Sequence, residues 1–188
     1  MFSKEEKFQD QYRIESTRLK NWDYSSSGYY FVTICIQDHR CYFGNIVNQK
    51  MQLSEIGEIV EKYWLEIPNH FPNVDLDFFV VMPNHIHGVI IIEPFSHKCR
   101  DEALPRLYNG EYPQMSIISP SPRSLSTIIG SYKSICSKIV NQKYPKINFA
   151  WQPRFHDHII RNEKSYQEIR RYIFENPAKW QEDELFIC

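Results

Sequence analysis

The chain has 188 residues, a formal net charge of −1, 42% hydrophobic residues and 15% aromatic residues. That length and apolar content support a buried core and exclude a disordered polymer. Its longest unbroken apolar runs, such as residues 89–92, are far too short to span a bilayer, and residues 1–15 have no apolar core behind their charges, so neither a membrane segment nor a secretory leader is expected.

The five cysteines, at positions 35, 41, 99, 136 and 188, are scattered without a C-x-x-C pair, which suggests reduced thiols and a cytoplasmic protein. The near-neutral net charge conceals an uneven distribution. Acids dominate residues 51–80, whereas residues 123–180 carry eleven lysines and arginines against four acids. The C-terminal third therefore has a positive field able to attract a phosphate backbone, or else ordinary solvated helix faces.

Taken in chain order, residues 1–28 are polar and mixed in charge and form an N-terminal arm, closed by Ser25-Ser26-Ser27-Gly28. Residues 29–37 (YYFVTICIQ) are aromatic and β-branched, the composition of a strand. Residues 41–47 (CYFGNIV) read as its hairpin partner or an extension. In residues 53–67, apolar Ile56, Ile59, Val60, Tyr63 and Trp64 recur at helical spacing behind Ser54, a good N-cap. Residues 74–82 and 85–92 read as two strands joined by Pro83-Asn84, a connection so tight that they must be antiparallel neighbours. Residues 94–123, rich in Pro and Ser, read as an irregular surface loop. A second helix spans 124–142 behind Ser124, a last strand 155–161, and a final helix 165–176, stopped by Pro177. The resulting order is strand, helix, strand, strand, helix, strand, with a helix appended. It predicts an α+β, ferredoxin-like (RRM-like) antiparallel sheet with helices on one side. The domain runs over residues 29–180, with 181–188 as a tail.

Within the 85–92 strand, side chains alternate, so His85 and His87 share one face and Ile86 takes the other. Two imidazoles so placed are either packed core histidines or half of a cation site. Gly88 directly behind them leaves room for a ligand or another backbone. A third ligand would come from Asn176, Glu168, Asp157 or His158. On the final helix Glu168, Tyr172 and Asn176 form one line at i, i+4, i+8, beside an apolar face of Tyr166, Ile169 and Ile173 that would dock the helix. By spacing alone Tyr172 is an amphipathic residue at the edge of that interface. Phosphate-binding and hydrolase signatures such as G-x-x-x-x-G-K-[ST], G-x-G-x-x-G and G-x-S-x-G are absent.

Five stretches taken together resemble the single-tyrosine HUH transposases (His, hydrophobic residue, His), and within them the REP-associated tyrosine transposases of bacteria. They are residues 30–37 (YFVTICIQ), 81–90 (VMPNHIHGVI), 129–134 (IGSYKS), 151–162 (WQPRFHDHIIRN) and 172–177 (YIFENP). The resemblance covers most of the chain from residue 13 to residue 180. It implies that His85 and His87 bind Mg²⁺ or Mn²⁺, that Asn176 completes the metal shell, and that Tyr172 on the last helix is the nucleophile. More distant relatives often have glutamine where Asn176 stands.

The implied activity is cleavage and rejoining of single-stranded or hairpin DNA through a 5′-phosphotyrosine intermediate, without ATP, by a monomer or a homodimer. The chemistry is coherent. A phenol of pKa about 10 is a poor nucleophile when neutral and a good one as phenoxide, and phenoxide is also a competent leaving group. Lys133, Lys138, Arg154, Arg161, Arg170 and Arg171 are candidates for phosphate contacts. In the arm, residues 13–24 (RIESTRLKNWDY) either read DNA, with Trp22 and Tyr24 stacking on bases, or pack on the sheet. Two competing readings are a domesticated hairpin-binding protein without cleavage and a metal-dependent phosphodiesterase that uses water.

Overall fold

The structure, a computed structural model, describes residues 7–8, 11–12, 19, 22–94 and 123–186. Most of the irregular loop expected at 94–123 and most of the N-terminal arm lie outside the described residues. Two short strands, β1 (Lys7–Phe8) and β2 (Gln11–Tyr12), pair with each other. The main sheet has four antiparallel strands in the order β6-β7-β3-β8: β6 (Val74–Val81), β7 (His85–Ile92), β3 (Gly28–Cys35) and β8 (His156–Ile160). With α1 (Glu55–Leu65) between β3 and β6, and α3 (Leu125–Lys143) between β7 and β8, this is the split βαβ arrangement expected from the sequence.

Alternation along β3 and β7 sorts their side chains onto two faces. One face contributes Tyr30, Val32, Ile34, Ile86 and Ile90 to the main core, where α1 brings Ile56, Val60 and Trp64 and α3 brings Leu125, Ile128, Ile129 and Tyr132. Both helices begin where a serine can satisfy an otherwise orphaned N–H: Ser54 accepts from Gly57 N and Ser124 from Thr127 N. The opposite face carries Phe31, Val89 and Ile91. It is covered by α4 (Glu163–Glu175) through Tyr166, Ile169 and Ile173, forming a second, smaller core. A short helix, α2 (Ile67–His70), links α1 to β6.

Three expectations change. The 41–47 segment is not a partner of the first strand. It supplies β4 (Gly44–Val47), which pairs with β5 (Lys50–Leu53) in a separate ribbon. Positive φ at Asn48 (50°) and Gln49 (62°) makes the two-residue turn that closes it. Gly88 makes room for no ligand: a Cβ there would lie 2.4 Å from Trp64 Cζ2, so its missing side chain admits the indole on the face away from the histidines. Finally, Cys35 and Cys136 are free and buried, but Cys41 is disulfide-bonded. Among the described residues no helix is long and apolar enough to cross a membrane.

Candidate active site

The α4 face of the sheet changes character at one end. Where β3 and β7 present Phe31 opposite Val89, the next pairs on that face are Thr33 opposite His87 and Cys35 opposite His85. Both histidines are buried, and their Nε2 atoms lie 2.9 Å apart. Each ring is held from behind by its Nδ1: His85 by Asn84 Oδ1 at 2.7 Å, His87 by Thr33 Oγ1 at 2.8 Å.

The Asn84 contact determines a proton. Its Nδ2 donates to the carbonyls of Leu185 (2.8 Å) and His39 (3.3 Å), so Oδ1 is the end turned to the ring. An oxygen that only accepts requires His85 Nδ1 to carry the hydrogen, which leaves Nε2 with a bare lone pair. Thr33 is less restrictive, because its hydroxyl donates or accepts. Without a cation, His87 Nε2–H can bridge to His85 Nε2 while Thr33 donates to Nδ1. With the proton moved to Nδ1, both Nε2 lone pairs address the same space. Burial lowers the His85 pKa to about 4, reinforced by His39 and opposed by Asp183. Burial, and then His85, lower His87 well below its ordinary value. Both rings are therefore neutral at physiological pH, the form a metal ligand needs.

Tyr172 reaches this pair from α4. Asn162 caps the helix by accepting from Ser165 N, and buried Ile173 anchors the last turn. The Tyr172 hydroxyl lies 3.1 Å from His87 Nε2, and its ring meets Phe31 edge-on at 6.1 Å between centroids. Its side chain is nonetheless 45% exposed, so the hydroxyl sits between the histidines and solvent. Burial, then the Asp183 carboxylate, push the phenol up to about 12, while a hydrogen bond with Asn176 pulls the other way.

Asn176 ends α4 and opens a 3-10 turn, Asn176–Glu182. It is buried, its Nδ2 donates to Asp183 Oδ2 at 3.0 Å, and its Oδ1 is buried without a partner. A buried amide oxygen left unpaired is costly, and it is the kind of atom a cation would satisfy. His85, His87 and Asp183 offer ligand atoms all within 4.8 Å of one another. Thr33, His87, His156, Tyr172, Asn176 and Asp183 line a cleft of about 530 Å³. These donors fit a divalent cation.

The fold brings together His85, His87, Tyr172 and Asn176, and separates the other candidates from them. Glu168 is exposed beside Lys164 at 4.0 Å. Asp157 and His158 line a different cleft, with Tyr24 and Arg161. Tyr166 donates to Asp77 and packs edge-on against Tyr29. Lys133 donates to the carbonyls of Gln152 (2.6 Å) and Arg154 (3.1 Å), tying α3 to the segment before β8. Of the arginines, Arg170 lies over the Phe78 ring at 3.9 Å, Arg161 over the Trp22 ring at 5.8 Å, and Arg154 and Arg171 are exposed. Sequence reasoning missed Asn84, Thr33, Asp183 and Trp180, whose ring lies 5.9 Å from that of His85. Only Asn84, directly before the first histidine, left a local signal.

No family model matches the chain. A protein of Haemophilus influenzae (strain ATCC 51907 / DSM 11121 / KW20 / Rd), described only as uncharacterized, is 41% identical over 174 residues, 92% of each chain. The two proteins belong to one family. Among solved structures, a REP-associated tyrosine transposase bound to a REP hairpin matches with a TM-score of 0.54 and 18% identity, covering 89% of this chain and 74% of that one. The chain shares the fold of that REP-associated tyrosine transposase. In that fold the histidine pair, the helix α4 and the 3-10 turn after it converge on one cleft.

Proposed function

We propose that the protein is a metal-dependent tyrosine DNA transposase or nuclease that cleaves and rejoins single-stranded or hairpin DNA. The observation that carries this reading is the Tyr172 hydroxyl, 3.1 Å from an imidazole nitrogen that faces a second imidazole nitrogen at 2.9 Å. The phenol is half-exposed at the mouth of the histidine pair, where an incoming phosphate can reach it as a nucleophile.

His85, His87 and Asn176 would hold Mg²⁺ or Mn²⁺. When bound, the cation supplies positive charge that polarises a scissile phosphate and favours phenoxide over phenol. Tyr172 is the attacking group: its oxygen forms a bond to phosphorus, its proton is lost, and the bond from phosphorus to the 3′-oxygen breaks. The departing 3′-oxygen takes up a proton, leaving a free 3′-OH and a 5′-phosphotyrosyl adduct. Reversal with a different 3′-OH rejoins the strand. Phe31 and Ile173 hold the tyrosine ring and its helix in place. Arg154, Arg161, Arg170 and Arg171 are the proposed phosphate contacts, with Lys133 bracing the segment that carries Arg154. The hairpin carried by the structurally similar transposase makes hairpin DNA the first substrate to test.

The test is adduct trapping with Mn²⁺ and single-stranded hairpins from DNA flanking the gene. Wild type should give an SDS-resistant adduct, and Tyr172→Phe should give none. An adduct persisting in Tyr172→Phe refutes the nucleophile assignment. Free products from wild type with no adduct favour the water-using reading.

A further inference from the structure

The last turn of the chain carries a carboxylate into the histidine pair. Asp183 follows the 3-10 turn, with its N–H donating to Trp180 O at 3.2 Å. Both carboxylate oxygens are oriented by donors: Oδ2 accepts from Asn176 Nδ2 at 3.0 Å and Oδ1 from Leu185 N at 2.7 Å. The segment around it is anchored to the same residues that hold His85. Asn84 Nδ2 donates to Leu185 O at 2.8 Å, and buried Trp180 packs between His85 (5.9 Å) and Phe186 (5.3 Å). The carboxylate is thus fixed relative to the histidines.

The local chemistry is rich in acceptors. His85 Nε2 has a bare lone pair, Asn176 Oδ1 is buried and unpaired, and Asp183 adds a carboxylate. Among the described residues no lysine or arginine is paired with Asp183; Lys179, in the same cleft, is paired with Glu175 at 2.7 Å. Two imidazoles and an amide give a divalent cation no compensating charge, whereas Mg²⁺ and Mn²⁺ prefer oxygen ligands and carboxylates in particular. We propose that Asp183 is a direct ligand of the cation, so that this chain binds metal through two histidines and one carboxylate. Asn176 orients that carboxylate through Nδ2 and retains Oδ1 as a further oxygen.

The inference rests on the metal-dependent reading above, and Mn²⁺ binding without DNA separates the two. The full-length chain is titrated with Mn²⁺ and free ion is followed by electron paramagnetic resonance. Asp183→Asn, which keeps the side chain's shape, should weaken Mn²⁺ affinity by about tenfold or more, an effect comparable to loss of a strong partner at a metal site. Glu58→Gln, an exposed carboxylate on α1 across the sheet, should bind as wild type. As a gain of signal, Asp183→Cys in a Cys35→Ala background should give a thiolate-to-metal charge-transfer band with Cd²⁺ that Cys35→Ala alone lacks, the background removing the free thiol opposite His85.

Wild-type affinity in Asp183→Asn together with no new band in Asp183→Cys overturns the proposal, and leaves Asp183 as an anchor or an electrostatic screen. If Mn²⁺ binding depends on Asp183 but wild type forms no tyrosyl adduct, the ligand assignment stands and the cleavage reading falls. If the adduct forms and Asp183→Asn binds metal normally, the reverse holds. A wild-type chain that binds no Mn²⁺ overturns both.

Discussion

Replacing Asn84 by alanine should damage the metal site without touching any ligand atom. Asn84 is fully buried, and its amide joins three parts of the fold: the His85 ring, the His39 carbonyl and the Leu185 carbonyl. Truncation leaves His85 Nδ1–H and Leu185 O without their short bonds. The buried Nδ1–H costs about 1–3 kcal/mol when orphaned, whereas the half-buried Leu185 carbonyl can turn to water, so about 1–3 kcal/mol of stability is at stake. That is a large share of the about 5–15 kcal/mol that keeps a typical domain folded. Freed from its acceptor, the His85 ring can move its proton to Nε2, the nitrogen that should face the cation. Loss of such a supporting hydrogen bond costs about 10–100-fold in metal affinity.

Asn84→Asp separates the two roles, because a carboxylate still accepts from Nδ1–H but repels both carbonyls. It should retain the His85 tautomer while loosening the 183–186 segment. Imidazole ¹⁵N chemical shifts report the tautomer, Mn²⁺ titration the affinity, and denaturant unfolding the stability. If Asn84→Ala keeps His85 protonated on Nδ1 with wild-type Mn²⁺ affinity, the proton assignment is refuted.

Gly88→Ala drives a methyl group against Trp64, and such overpacking costs about 1–3 kcal/mol. Thermal unfolding should show a lower midpoint, while the folded fraction keeps its metal affinity because the clash is on the opposite face from the histidines. In EDTA, stability should fall with acid before carboxylates titrate in bulk. The unfolded chain takes up protons on His85 below about pH 6.5, but the folded site resists until about pH 4, so protonation favours unfolding across that window. His85 alone accounts for about 2 kcal/mol between about pH 7 and pH 5. A denaturation free energy that stays flat over that range contradicts the neutral buried pair.

Much of the architecture was legible because it rests on local rules. Ser54 and Ser124 marked helix starts, as the hydrogen bonds to Gly57 N and Thr127 N bear out. The Pro83-Asn84 pinch marked adjoining strands, and β6 and β7 are antiparallel neighbours. The β4–β5 ribbon escaped because its turn uses Asn48-Gln49, where a non-glycine residue adopts positive φ and disguises the hairpin. Gly88 was visible as a gap, but what filled it was not. Its neighbour Trp64 comes from a helix more than twenty positions away in sequence.

The same division runs through the site. Period-two alternation placed His85 and His87 on one face, and helical spacing aligned Tyr172 with Asn176, since both are properties of the backbone repeat. Whether these two lines meet depends on how α4 docks across the sheet, which no local periodicity encodes. The tertiary structure decided that the Tyr172 hydroxyl stops 3.1 Å from His87, and that Asn84 selects the His85 tautomer. It also brought Asp183 back to residues about a hundred positions earlier. That return requires Trp180 to pack against the His85 ring and Leu185 O to accept from Asn84, contacts whose energy comes from the assembled core.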